Sequence, residues 1–150
     1  MATIRQSIVT ALRADGTLMG LLAGDTERIL LAGQVEPTAS FPLLVAHMGM
    51  ASGRDDRRPH VEETFEIRAY TRPQSRNTVA WNTVDSLLNR ARAVLHRQDS
   101  LSADDDDMGV FRCAWEFRSN DQQDFNLKAW FRYDRFRVYA ILRLPASDWA

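Results

Sequence analysis

The chain has a single cysteine, Cys113, among 150 residues, so no internal disulfide and no multi-cysteine metal cluster can form. Its three histidines, His47, His60 and His96, are scattered, and none has the close spacing of a zinc motif such as H-E-x-x-H. The seven glycines are dispersed too. Neither G-x-G-x-x-G nor G-x-x-x-x-G-K occurs, which removes the glycine-rich cradles that hold phosphate. Charge of one sign is not in excess: a net charge of -1 and a pI near 6.3 advertise neither a polyanion nor an anionic membrane as partner. Long apolar runs are missing, since no window approaches the roughly 20 residues needed to cross a bilayer. The opening "MATIRQSIVTALRADG" is charged within its first turns and lacks the apolar core of a secretion signal. A soluble chain made in a cytoplasm is the expectation.

What is present fits one globular domain. Apolar residues make up 45% and charged residues 26%, enough to bury a single core and too few residues to divide it. Thr3 and Gln6 have capping-box spacing, and Ile4, Ile8, Val9 and Leu12 repeat at helical intervals, which predicts a helix over about 3–13. Thr17 is the expected cap of a second short helix through "LMGLLA", with Gly24 as its stop. Ile29 to Leu31 is a short apolar run, and "PLLVAHMGM" reads as a buried strand. After the polar segment "ASGRDDRRP", Phe65, Ile67 and Ala69 alternate with polar neighbours, so a hairpin with a long projecting loop follows.

Asn77 is the expected cap of the longest helix, about 78–96, whose stripe is Ala80, Val84, Leu87, Leu88, Ala91, Val94 and Leu95. Its other side carries Asn82, Asp85, Asn89, Arg92 and His96, ordinary choices for a solvated surface. Phe111, Cys113, Trp115 and Phe117 alternate with Arg112, Ala114, Glu116 and Arg118, the clearest strand signal in the chain. "SNDQQD" reads as a turn, and "FNLKAWFRYDRFRVYAILRL" as one long bent strand or two short ones. The predicted class is α+β: a single mainly antiparallel sheet of four to five strands with helices packed on it, in the order ααβββαββ.

Four constellations invite a chemical reading. The tract Asp104, Asp105, Asp106 and Asp107 starts like a calcium loop, with Gly109 sixth. Met108 stands at the fifth position and Trp115 at the twelfth, so the glutamate that completes such a shell is missing. A solvated connection of like charges is the expectation. Cys113, mid-strand between Phe111 and Trp115, reads as an inert core thiol. In "KAWFRYDRFRVYAILR", Lys128, Arg132, Arg135, Arg137 and Arg143 interleave with Trp130, Phe131, Tyr133, Phe136 and Tyr139. That mixture suits a single-strand nucleic-acid binder, but aromatics facing a core and arginines facing water produce the same alternation. The loop with Arg54, Asp55, Asp56, Arg57 and Arg58 carries both signs of charge, which suits a protein partner better than a polyanion.

The opening helix into "LMGLLAG", the "FPLLVAHM" strand, the "VEETFEIRAYTRPQSRNTVAWNTVDSLLNRARAVL" strand and helix, and the closing "FRCAWEFR…DFNLKAWFRY" hairpin together resemble the tail-terminator or tail-completion proteins of long-tailed bacteriophages. The resemblance runs over about residues 4–140 and rests on apolar positions. It implies a single tail-terminator-like domain over 1–150 that forms a homohexameric ring in the virion's tail or neck after assembly in the host cytoplasm. Such a ring caps the tail tube, meets a neck or head-completion protein, and lets DNA pass without binding it specifically. It implies no catalysis, cofactor, metal or membrane. Another neck or head-to-tail adaptor is the neighbouring expectation. On this resemblance the loop at 51–59 and the strand arginines Arg132, Arg135 and Arg137 are the candidate contacts, and Asp104 to Asp107 are the candidate lumen residues that repel passing DNA.

Overall fold

In the computed structural model, residues 4–36, 39–52, 60–72, 79–97 and 108–142 are described. Helix α1 (Ile4–Arg13) turns sharply into α2 (Gly16–Leu21). The cap of α2 is Asp15 and not Thr17: the Asp15 carboxylate accepts the Leu18 N–H at 2.9 Å, satisfying one of the donors that a helix start leaves open. The chain leaves α2 through Ala23 and Gly24, both at positive φ, and the Gly24 N–H returns to the Met19 carbonyl at 2.8 Å. Three-residue β1 (Ile29–Leu31) follows, then β2 (Leu43–Ser52) and β3 (His60–Thr71).

Helix α3 (Trp81–Leu95) begins about three residues later than an Asn77 cap would place it, with Ala80 at the cap position making no side-chain cap bond. The expected caps Thr3 and Asn77 lie outside the described residues. After α3 come β4 (Met108–Arg118), β5 (Gln122–Asp124) and β6 (Ala129–Leu142). "QQD" is thus a short strand where a turn was expected, and the aromatic end forms one continuous strand as far as Leu142.

The six strands form one sheet in the order β1-β2-β3-β6-β4, and β5 pairs with β6 beyond the end of β4. All pairings are antiparallel except β1 with β2. The hairpin of β2 with β3 is the one the alternation predicts. Because side chains alternate across a strand, Leu44, Ala46, Phe65, Ile67, Ala69, Phe136 and Val138 share one face. Against it lie Ile8, Val9 and Leu12 of α1, Leu18 of α2, and Val84, Leu87, Leu88, Ala91 and Leu95 of α3. Phe65 and Phe136 stack at its centre, 5.0 Å apart and nearly parallel. Each fully buried Leu, Ile or Phe here contributes about 1.5–3 kcal/mol. This is the main core.

Among the described residues, the other sheet face is covered at one end only. There Leu43, Val45, Tyr70, Ala129 and Phe131 pack beneath Val35, Ala39 and Phe41 of the connection between β1 and β2, with Leu127 joining from the turn before β6. The remainder of that face carries His47, Glu66, Arg68, Tyr133, Arg135 and Arg137 without a helix over it.

Candidate functional site

Of the predicted contact residues, Arg54, Asp55, Asp56, Arg57 and Arg58 lie outside the described residues, as do Asp104, Asp105, Asp106 and Asp107. The three strand arginines are described, and β6 divides them. Arg132 points to the helix face, where its Nη1 donates to the Asp85 carboxylate at 2.9 Å and its Nε to Asp121 at 2.7 Å. Its guanidinium also lies 4.3 Å from the centre of the Trp81 ring. Arg135 and Arg137 point to the open face and share one carboxylate, Glu116, each at 3.4 Å. Arg135 also stands 6.0 Å from the Phe117 ring. Arg132 therefore belongs to a different surface from Arg135 and Arg137.

Beside Arg132 is the one fully buried carboxylate among the described residues. Asp134 accepts from Arg118 Nε at 2.7 Å and Nη2 at 3.0 Å, a two-pronged pair. Arg118 Nη1 also approaches Asp85 at 3.7 Å. The hydrogen bond to Asp134 pushes the Arg118 guanidinium above its ordinary value, so the cation is fixed. Asp85, expected as an idle solvated residue of the long helix, is instead the joint between α3 and both arginines. Arg92 and His96 are likewise engaged. Arg92 lies 3.8 Å over the Trp115 ring, and His96 Nδ1 accepts the Trp115 backbone N–H at 2.9 Å. A heptad-like count along the helix finds the apolar stripe, but these partners come from distant strands and leave no local signal.

The aromatic residues of β6 are largely committed inward. Phe136 is fully buried on Phe65, Phe131 packs on Tyr70 at 4.7 Å and under Arg68, and Trp130 meets Trp81 edge-on. A base-stacking platform needs exposed rings, and those three are used by the fold. Cys113 is buried, and burial alone pushes its thiol up to about 12, so it stays protonated and unreactive. Among the described residues no group of three or more His, Cys, Asp or Glu side chains is placed to hold a metal ion.

Outward backbone groups of β1 and β4 are taken by nearby groups of the chain. The outward Ile29 carbonyl on β1 takes Arg13 Nη2 at 2.6 Å, and the outward Leu31 N–H donates to Gln34 Oε1 at 3.0 Å. On β4, the Cys113 carbonyl accepts the Arg97 N–H at 2.8 Å, and the Trp115 N–H is the one taken by His96. Open edges invite strand addition, and these contacts occupy the outward groups of Ile29, Leu31, Cys113 and Trp115 that a partner strand needs. Among the described residues, a cleft of about 360 Å³ opens beside β1, its lining mostly polar through Asp25, Glu27, Gln34, Glu36 and Ser40, with Leu30 and Ala39 as its apolar part. At the opposite edge, the turn between β5 and β6 presents Phe125, 79% exposed. Neither feature was visible in the sequence, because the cleft gathers residues from three short segments and Phe125 sits within a predicted strand.

This arrangement is an α+β fold built on one mostly antiparallel sheet with its helices on a single face. The same fold occurs in a solved chain from the "virion of native gene transfer agent (GTA) particle", at a TM-score of 0.61 and 14% identity over 91% of this chain and 92% of that one. No model of a known protein family matches the sequence, and no curated protein does.

Proposed function

We propose that this protein is a structural component of a phage-like virion, without enzymatic activity, and that it acts as the ring-forming terminator of the tail. The observation that supports the reading is the fold shared end to end with a chain of a gene transfer agent virion. A likeness at 14% identity carries the fold, and the step from fold to role is our inference. The residue patterns that resemble tail terminators point the same way. So does the chemistry: the charged side chains that sequence reasoning singled out and that are described hold the fold's own surfaces together, through Asp85, Glu116 and Asp121.

In this role the chain forms a homohexamer that caps the tail tube, stops its growth and meets the neck or head-completion protein. The related role of another neck adaptor shares the ring and differs in its neighbours. Native mass spectrometry of the purified chain, alone and mixed with tail tubes, tests the proposal. A closed ring, formed freely or on tube ends, is the expected result. A chain that stays monomeric and leaves tube ends bare contradicts it.

A further inference from the structure

We propose that neighbouring copies of this chain join head to tail by seating Phe125 of one subunit in the cleft beside β1 of the next, an inference that rests on the ring reading above. Four observations lead to it. Phe125 is the most exposed large apolar side chain among the described residues, at 79%, ahead of Leu21 at 44% and Phe117 at 42%. It is held on a braced turn and not on a loose tip. Asp124 accepts the Leu127 N–H at 3.0 Å, Arg72 Nη2 donates to the Leu127 carbonyl at 2.8 Å, and Leu127 itself is packed into the smaller core. An aromatic side chain fixed in this way loses little freedom on docking, which is the property of interface anchors.

The cleft has the size for a ring and a charge opposite to that of the turn. Its volume of about 360 Å³ leaves room for a phenyl ring, with the polar Gln34 and Ser40 also in its lining. Leu30 and Ala39 give the ring apolar contact, and Asp25, Glu27 and Glu36 set negative charge around it. Arg28 offsets Asp25 at 3.5 Å, and Glu27 and Glu36 keep the cleft acidic. The turn that carries Phe125 is complementary: Lys128 and Arg72 place two positive charges there against the single negative charge of Asp124. Opposite potentials of this kind fix register and reject wrong partners.

Placement then decides the symmetry. At this end of the sheet the strands run β1, β2, β3, β6, β5, so cleft and anchor sit at opposite edges. Four strand spacings of about 4.8 Å separate the two edge strands by roughly 19 Å. An anchor at one edge and its receptor at the other cannot satisfy each other across a two-fold axis through a single patch. They form a heterologous contact, which repeats from copy to copy and closes into a ring when the rotation allows. The plugged β1 edge directs the union to side chains, since Arg13 and Gln34 occupy the backbone groups that a partner strand needs.

Two variants test the contact by native mass spectrometry and sedimentation. Phe125→Asp removes the anchor, and Glu27→Lys with Glu36→Lys reverses the cleft. All three positions are exposed, so both proteins keep the parent's melting temperature. Each variant alone is expected to lose assembly, with at least about thirty-fold weaker self-association. Mixed in equal amounts, they regain one good contact and stop at heterodimers, because the cleft of the first variant still receives the anchor of the second. Rings formed by either variant at parental concentration overturn the contact and leave the ring reading standing. A parent chain that never associates, even on tail tubes, overturns both.

Discussion

His96 shows how one side chain fixes its own protonation state. Its Nδ1 must carry a lone pair to accept the Trp115 N–H, so the fold holds the neutral ring with its proton on Nε2. Burial, followed by the nearby positive charges of Arg97 and Arg92, lowers its affinity for a proton below the ordinary 6.5. His47, half-buried on the open face, is lowered in the same direction by burial and by Arg68, against the opposing pull of Glu66 and Asp124. A group whose proton affinity is lower in the folded chain gives stability that is complete above its unfolded value and is lost as the pH falls toward the folded one. Both histidines therefore weaken the fold as the pH drops below 6.5. Asp15, lowered below 3.8 chiefly by its hydrogen bonds from Arg90, adds a second loss at more acid pH. Urea unfolding from pH 8 to pH 3 should show a plateau, a decline beginning near 6.5 and a steeper one below 4. Replacing His96 by Gln keeps an acceptor and should flatten part of the first decline. An unchanged slope in that variant would remove His96 from the account.

The elements are joined by one buried polar link. Arg118 near the end of β4 and Asp134 in β6 form a two-pronged pair with the carboxylate fully buried, and Asp85 connects both arginines of the cluster to α3. Removing Arg118 strands the fully buried Asp134 carboxylate in the interior, so Arg118→Ala is expected to cost about 3 kcal/mol in denaturant unfolding. Asp121→Ala, which removes an exposed partner of Arg132, should cost no more than about 0.5 kcal/mol. Similar losses for the two variants would show that burial does not set the energetics here. How much of this was legible follows from the same physics. The α3 stripe, the β2–β3 hairpin and the alternation of β4 were readable because one face of each meets the core, and a buried face leaves a period in the sequence. Strand β5 was not, because Gln122, Gln123 and Asp124 are polar and owe their extended form to pairing with β6. The parallel β1 is three residues long, too short to carry a period. Asp15 rather than Thr17 caps α2 because Arg90, 75 residues away, holds that carboxylate in place. The split of the strand arginines between two faces was present in the alternation of β6, where Arg132 falls out of step with Arg135 and Arg137.

At the scale of the whole molecule, the described residues give one sheet face to helices, leave part of the other without a covering element, and end in two edges that differ in chemistry. The proposed contact, with its anchor at one edge and its receptor at the other, repeats from copy to copy, and repetition with closure is what the proposed tail-capping ring needs. The proposed role is carried out on particles, so particles test it more directly than purified chains. The most direct measurement is electron microscopy of particles assembled in the absence of this protein. The account predicts tails of uncontrolled length, or finished tails that fail to join heads, with restoration when the protein is supplied again. Particles with tails of normal length, joined to full heads in normal number, would contradict it.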